Sequence, residues 1–138
     1  YRPEIDASTK GREATRMDAI SDAAARVVKT VNAKVIVTHT RTGNTAYRAS
    51  RERPEVPIVC VTQSPETARA LTIVWGVEPV ITPYIPGIEE AVRAASNVVV
   101  RQGFAGAGDA YVMTAGVPFG RAGSTNTLRI VKIPESEV

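Results

Sequence analysis

Residues 34–62 read KVIVTHTRTGNTAYRASRERPEVPIVCVT. Two short apolar runs, at 34–38 and 57–62, bracket a helical stretch over Gly43–Arg53 that Pro54 stops. Neither run alternates polar with apolar residues, which is the pattern of a strand covered on both faces. A strand, a helix and a second such strand close together form a right-handed crossover, so the two strands lie parallel.

The same alternation continues downstream. Ser64-Pro65-Glu66 supplies a cap, a proline at the first helical position and an acid in the first turn, opening a helix to about Val74. Val77–Thr82 is a third strand. Gly87–Gln102 is a helix with Glu89 and Glu90 at its start, Arg101 near its end and Gly103 as its stop. Asp109–Ala115 and Thr125–Ile133 are strands joined by GVPFGRAGS, with no helix between them, so the last is antiparallel and lies at an edge. Upstream, Thr15 and Asp18 have capping-box spacing, and Ile20, Ala24, Val27, Val28 and Val31 recur at helical intervals, giving a helix over 13–32. Residues 1–12 read as a linker or extended arm, and residues 13–138 as one domain. The expected fold is a single three-layer α/β domain: a mostly parallel five-stranded sheet, last strand antiparallel, with helices on both faces.

Composition narrows the function. The chain has 138 residues, 43% hydrophobic and 22% charged, enough to bury a core and too apolar for disorder. No apolar run reaches the roughly 20 residues that span a membrane. The formal net charge of +3 comes from cations interspersed with acids, so nothing marks a nucleic-acid surface. A single cysteine allows no internal disulfide and suits a reducing, cytoplasmic setting. The single histidine, His39, leaves no His-based metal cluster or serine triad to assemble, and reads as a loop residue flanking a site. Cys60 reads as a small core residue, Asp109 as a turn acid, and Trp75 as a packing residue.

In sheets of this kind ligands bind beyond the carboxyl ends of the strands. The loop after the first strand gathers Thr38, Thr40, Thr42 and Thr45 around Gly43, with Arg41 among them. Hydroxyls and free N–H groups at a helix N-terminus make an anion cradle; the same residues also suit an ordinary αβ turn. No lysine follows Gly43, so the loop is no nucleotide-hydrolysing P-loop, and G-F-A-G-A-G at 103–108 precedes a strand and reads as a turn.

Three segments, 34–79, the helix EEAVRAAS and 103–133, together resemble in order the C-terminal domain of pyruvate kinase. They include the RP-x-x-PI-x-x-VT and WGVEP runs, and GVPFGRAGSTNT resembles bacterial members. The resemblance implies an allosteric and assembly domain of a glycolytic transferase, a kinase passing phosphate from phosphoenolpyruvate to ADP on a barrel with Mg and K. No catalytic residue and no cofactor is expected in this chain, so on its own it should not form pyruvate. The implied effector phosphate site is Thr40, Arg41, Thr42, Gly43, Asn44 and Thr45, under a flap of Pro118, Phe119, Gly120, Arg121, Ala122 and Gly123. Tyr84–Ala91 lacks the base that would hold a second phosphate, so a sugar monophosphate or AMP is favoured over a bisphosphate. The implied assembly is a homotetramer using the last strand, about Thr125–Lys132; no nucleic acid or membrane partner is expected. The start at Tyr1-Arg2-Pro3 reads as cut from a longer chain; the alternative is a free-standing phosphometabolite-binding protein of the same fold.

Overall fold

The structure, a computed structural model, describes residues 3–116 and 125–135, with side chains from residue 15 onward. Its elements run α1 (Pro3–Val31), β1 (Ile36–His39), α2 (Asn44–Arg51), β2 (Ile58–Thr62), α3 (Pro65–Leu71), β3 (Val77–Ile81), α4 (Ile88–Arg101), β4 (Ala110–Ala115) and β5 (Thr127–Lys132). The sheet order is β3-β2-β1-β4-β5, parallel except for the antiparallel β4–β5 pair. This is the expected three-layer α/β fold.

Two layers of core follow from the period-2 alternation of the strands. Val35, Val37, Val59, Val61, Tyr111 and Met113 face α4, meeting its Ala91, Ala95, Val98 and Val99. Ile36, Ile58 and Val112 face the other way, onto Ala24 and Val28 of α1 and Ala49 of α2. Cys60 shares that second face with Ala46 and with Leu71 of α3. Helices on both faces explain why β1 and β2 are buried at every residue and why their sequences lack alternation.

Two helices end in the same closure. After α1, Asn32 takes a left-handed φ of 55° and the Ala33 N–H donates to the Val28 carbonyl at 3.0 Å. After α4, Gly103 takes φ 79° and Phe104 N–H donates to Val99 O at 2.9 Å. Both are Schellman motifs, each with its apolar contact back onto the helix: Ala33 shares a cluster with Val28, and Phe104 packs against the one holding Val99. α3 is capped as the sequence indicates, Ser64 Oγ accepting from Thr67 N at 3.1 Å with Pro65 following.

The start of α1 differs from expectation. The helix begins at Pro3, so residues 3–12 are helical instead of an extended arm. Proline has the φ of a first helical turn, and Gly11 costs only about 1 kcal/mol inside a helix, too little to stop one. The two sheet edges differ in chemistry. Thr82 N–H donates inward to Thr62 O, so by alternation the backbone position of Pro79 in β3 faces outward, where its missing N–H costs the sheet nothing. On β5, Ile133 N–H donates inward to Asp109 O, which turns the amides of Leu128, Ile130 and Lys132 to the open edge.

Leu71 is fully buried and lies against the turn at Gly43. Truncation to Leu71→Ala should lower stability by about 2–5 kcal/mol in denaturant unfolding; a loss under about 1 kcal/mol would show that the α3 contact carries little of the fold.

Candidate functional site

The chain order fixes where loops converge. From β1 the sheet is extended to β2 and β3, then α4 carries the chain back across to β4 on the other side of β1. The strand order therefore reverses between β1 and β4, and in sheets of this kind that reversal is where a ligand crevice lies, at the carboxyl ends of the strands.

The loop after β1 is held from several sides. Thr40 N–H donates to Val61 O at 3.1 Å, continuing the ladder one residue past β1. Thr40 Oγ1 accepts from Gly43 N at 3.0 Å, and Thr42 Oγ1 from Asn44 N at 3.4 Å. Thr67 Oγ1 of α3 donates to Arg41 O at 2.8 Å. Gly43 caps α2 with φ 91°, a conformation that costs a side-chain-bearing residue, and a Cβ there would come within 3.3 Å of Thr67 Cγ2.

Gly43 offers no side-chain cap, and the amides of Thr45 and Ala46 meet no acceptor among the described residues. They are the usual orphan donors of a helix N-terminus, with the positive end of the helix dipole behind them. Thr40 and Thr42 spend acceptor capacity on the loop's own amides, which leaves each O–H able to donate. Arg41, Thr42 and Asn44 are exposed around this opening. The arrangement can receive an anion.

The threonines divide into two groups. Thr40 and Thr42 stay with the loop, whereas Thr45 is buried and its hydroxyl meets that of Thr125. Thr125 stands beside Asn126, whose N–H donates to Ala115 O at the end of β4. The sequence carries no signal for that pairing, since 80 residues separate the two. The expected flap, Pro118, Phe119, Gly120, Arg121, Ala122 and Gly123, lies outside the described residues.

His39 is the last residue of β1, paired with Val61, and is buried under the first turn of α4 rather than sitting in the loop. The ladder runs one residue further than the apolar run because α4 covers that position. Burial lowers the imidazole pKa to about 4, partly offset by its hydrogen bond to the Ala91 backbone. Cys60 is buried as expected, its thiol raised to about 11 by burial, with the Thr38 hydroxyl acting in the opposite direction. Asp109 is a turn acid, accepting from Gly106 N at 2.9 Å. Trp75 is half exposed; the Arg53 guanidinium lies 4.3 Å above its ring, and its carbonyl accepts from Ser50 Oγ. Among the described residues no helix is long and apolar enough to cross a membrane.

Residues 18–131 match the family described as pyruvate kinase, alpha/beta domain. A pyruvate kinase of Agrobacterium vitis is 40% identical over 132 residues, covering 96% of this chain and 28% of the relative. One of Methylorubrum extorquens is 39% identical over 118 residues, covering 86% of this chain and 25% of its own length. Among solved structures, Cryptosporidium parvum pyruvate kinase in complex with ADP superposes with a TM-score of 0.78 at 35% identity, over 86% of this chain and 24% of that one. The chain thus spans about a quarter of the length of the relatives it matches.

A histidine with a folded pKa below its unfolded value near 6.5 stabilises the fold only while neutral. That stability is complete above about pH 6.5 and is lost as pH falls towards 4. His39→Gln should therefore flatten the fall in Tm between pH 6.5 and 4.5, measured by thermal unfolding; parallel Tm curves for the two proteins would refute the assignment.

Proposed function

The chain belongs to the pyruvate kinase alpha/beta-domain family, as its C-terminal domain, and on that premise we propose that it is the effector-binding and subunit-assembly domain of a cytoplasmic glycolytic enzyme. The parent enzyme would transfer phosphate from phosphoenolpyruvate to ADP on a catalytic barrel carried outside this chain, with the metal ions bound there. The observation that carries the effector reading is the loop Thr40–Thr45 at the mouth of the β1/β4 crevice. Its amides at Thr45 and Ala46 and its hydroxyls at Thr40 and Thr42 can donate to one anion.

The ligand of this reading is a phosphate carried by a sugar monophosphate or AMP. Arg41 brings a guanidinium suited to phosphate oxygens, and Arg121, in the Pro118–Gly123 stretch, is the second cation of this reading. A second phosphate would need a base in Tyr84–Ala91, and that stretch has none. Calorimetry against glucose 6-phosphate, ribose 5-phosphate, AMP and fructose 1,6-bisphosphate tests the preference. A monophosphate should bind most tightly, and Arg41→Ala should weaken it about tenfold or more, since a charge-assisted hydrogen bond contributes roughly 1.5–3 kcal/mol. Much tighter binding of the bisphosphate sinks the preference, and unchanged affinities in Arg41→Ala sink the site.

Assembly is read from β5. Its outward amides and the half-exposed Ile130 form an open edge that a second copy can pair with, as the first contact of a homotetramer completed by the barrel. Sedimentation of this chain at rising concentration should show a dimer, weakened by Ile130→Pro. A strictly monomeric chain at high concentration overturns this part of the reading.

A further inference from the structure

Between α1 and the sheet, three hydroxyls are buried with no oxygen or nitrogen partner, Ser21 Oγ, Thr38 Oγ1 and Thr114 Oγ1, the second of them having only the weakly bonding Cys60 thiol beside it. All three residues are at most 3% exposed. Their placement brings them together. Thr38 and Thr114 are register partners on neighbouring strands, so their side chains share a face. That face is the one bearing Ile36 and Val112, which pack on Ala24 and Val28 of α1. Because Ala33 and Lys34 join α1 to the start of the sheet, α1 runs antiparallel to the strands, and its earlier turns lie towards their carboxyl ends. Stepping back one turn from Ala24 to Ser21 moves about 4.5 Å along the helix. Stepping from Ile36 to Thr38, or from Val112 to Thr114, moves about 6.6 Å in the same direction.

A buried hydroxyl with no partner is destabilising, and three in one place would be a heavy penalty for a small domain. Valine in place of either threonine would have the same shape and no such cost. A site offering two to four polar partners is what an internal water needs. We propose that Ser21, Thr38 and Thr114 form a binding site for an ordered internal water that ties α1 to β1 and β4 at the base of the crevice. Each hydroxyl both donates and accepts, so one water can satisfy all three oxygens, donating to two and accepting from the third. The contact between α1 and the sheet is thus dry at Ala24 and Val28 and hydrated one turn further on. The site is separate from the phosphate loop and stands whether or not that loop binds an effector.

The test uses this chain in two independent ways. A high-resolution crystal structure should show a water within hydrogen-bond distance of at least two of the three oxygens, and continuous apolar contact there with no water overturns the proposal. Thermal unfolding of Thr38→Val and Thr114→Val should each lower Tm by about 3 °C or more, because each leaves the water short of a partner. The combined variant S21A/T38V/T114V should lose less than the sum of the single losses, since no orphaned group remains. If both single valine variants hold or raise Tm, the hydroxyls are unpaired and the water site is wrong.

Discussion

The parallel pairing of β1 with β2 on one side and β4 on the other is the constraint from which the rest of the structure follows. Right-handed crossovers to β2 and then β3 place α2 and α3 on one face; the return to β4 places α4 on the opposite one. With both faces covered, β1 begins with the apolar Ile36 and Val37, and its polar groups gather towards its carboxyl end. Thr40, Arg41, Thr42 and Gly43 are where the strand's chemistry changes, and the switch point opens a crevice at the same place.

The loop there is arranged before anything binds. Its position is set by the ladder bond from Thr40, its curvature by the left-handed Gly43, and its distance from α3 by the Thr67 hydroxyl on the Arg41 carbonyl. An anion arriving at the α2 N-terminus would find its donors already oriented, so little ordering entropy opposes binding. The Thr45–Thr125 contact adds a link of a different kind, since it joins the first turn of α2 to the segment leading into β5.

Much of this was legible in the sequence because local chemistry dictates it. Ser64-Pro65-Glu66 could only open a helix, Gly103 could only end one, and VIV and PIVCV had no polar face to show to water. The loop at Thr40–Thr45 was legible as a candidate for the same reason. What was not legible depended on contacts distant along the chain. His39 looks like a loop residue until α4 is known to cover it, and nothing near Thr45 announces Thr125. Trp75 looks like a packing residue from its neighbours in the chain, yet it is half exposed with Arg53 lying over its ring. The start of α1 was missed because Gly11 and the polar residues around it weaken a helix without breaking it.

Pro79 has a bearing on how far copies of this chain can accumulate. A sheet grows into a fibre only if it can add strands at both ends, each new copy offering a fresh edge as the old one is covered. Here β5 presents a row of amides, while the middle of β3 presents a pyrrolidine ring and no donor. Head-to-tail stacking of β5 onto β3 would leave an outward carbonyl of β5 facing Pro79, which has no N–H to donate. A sheet with one receptive side and one refusing side terminates after a single joining event, so the proline limits how far copies can stack.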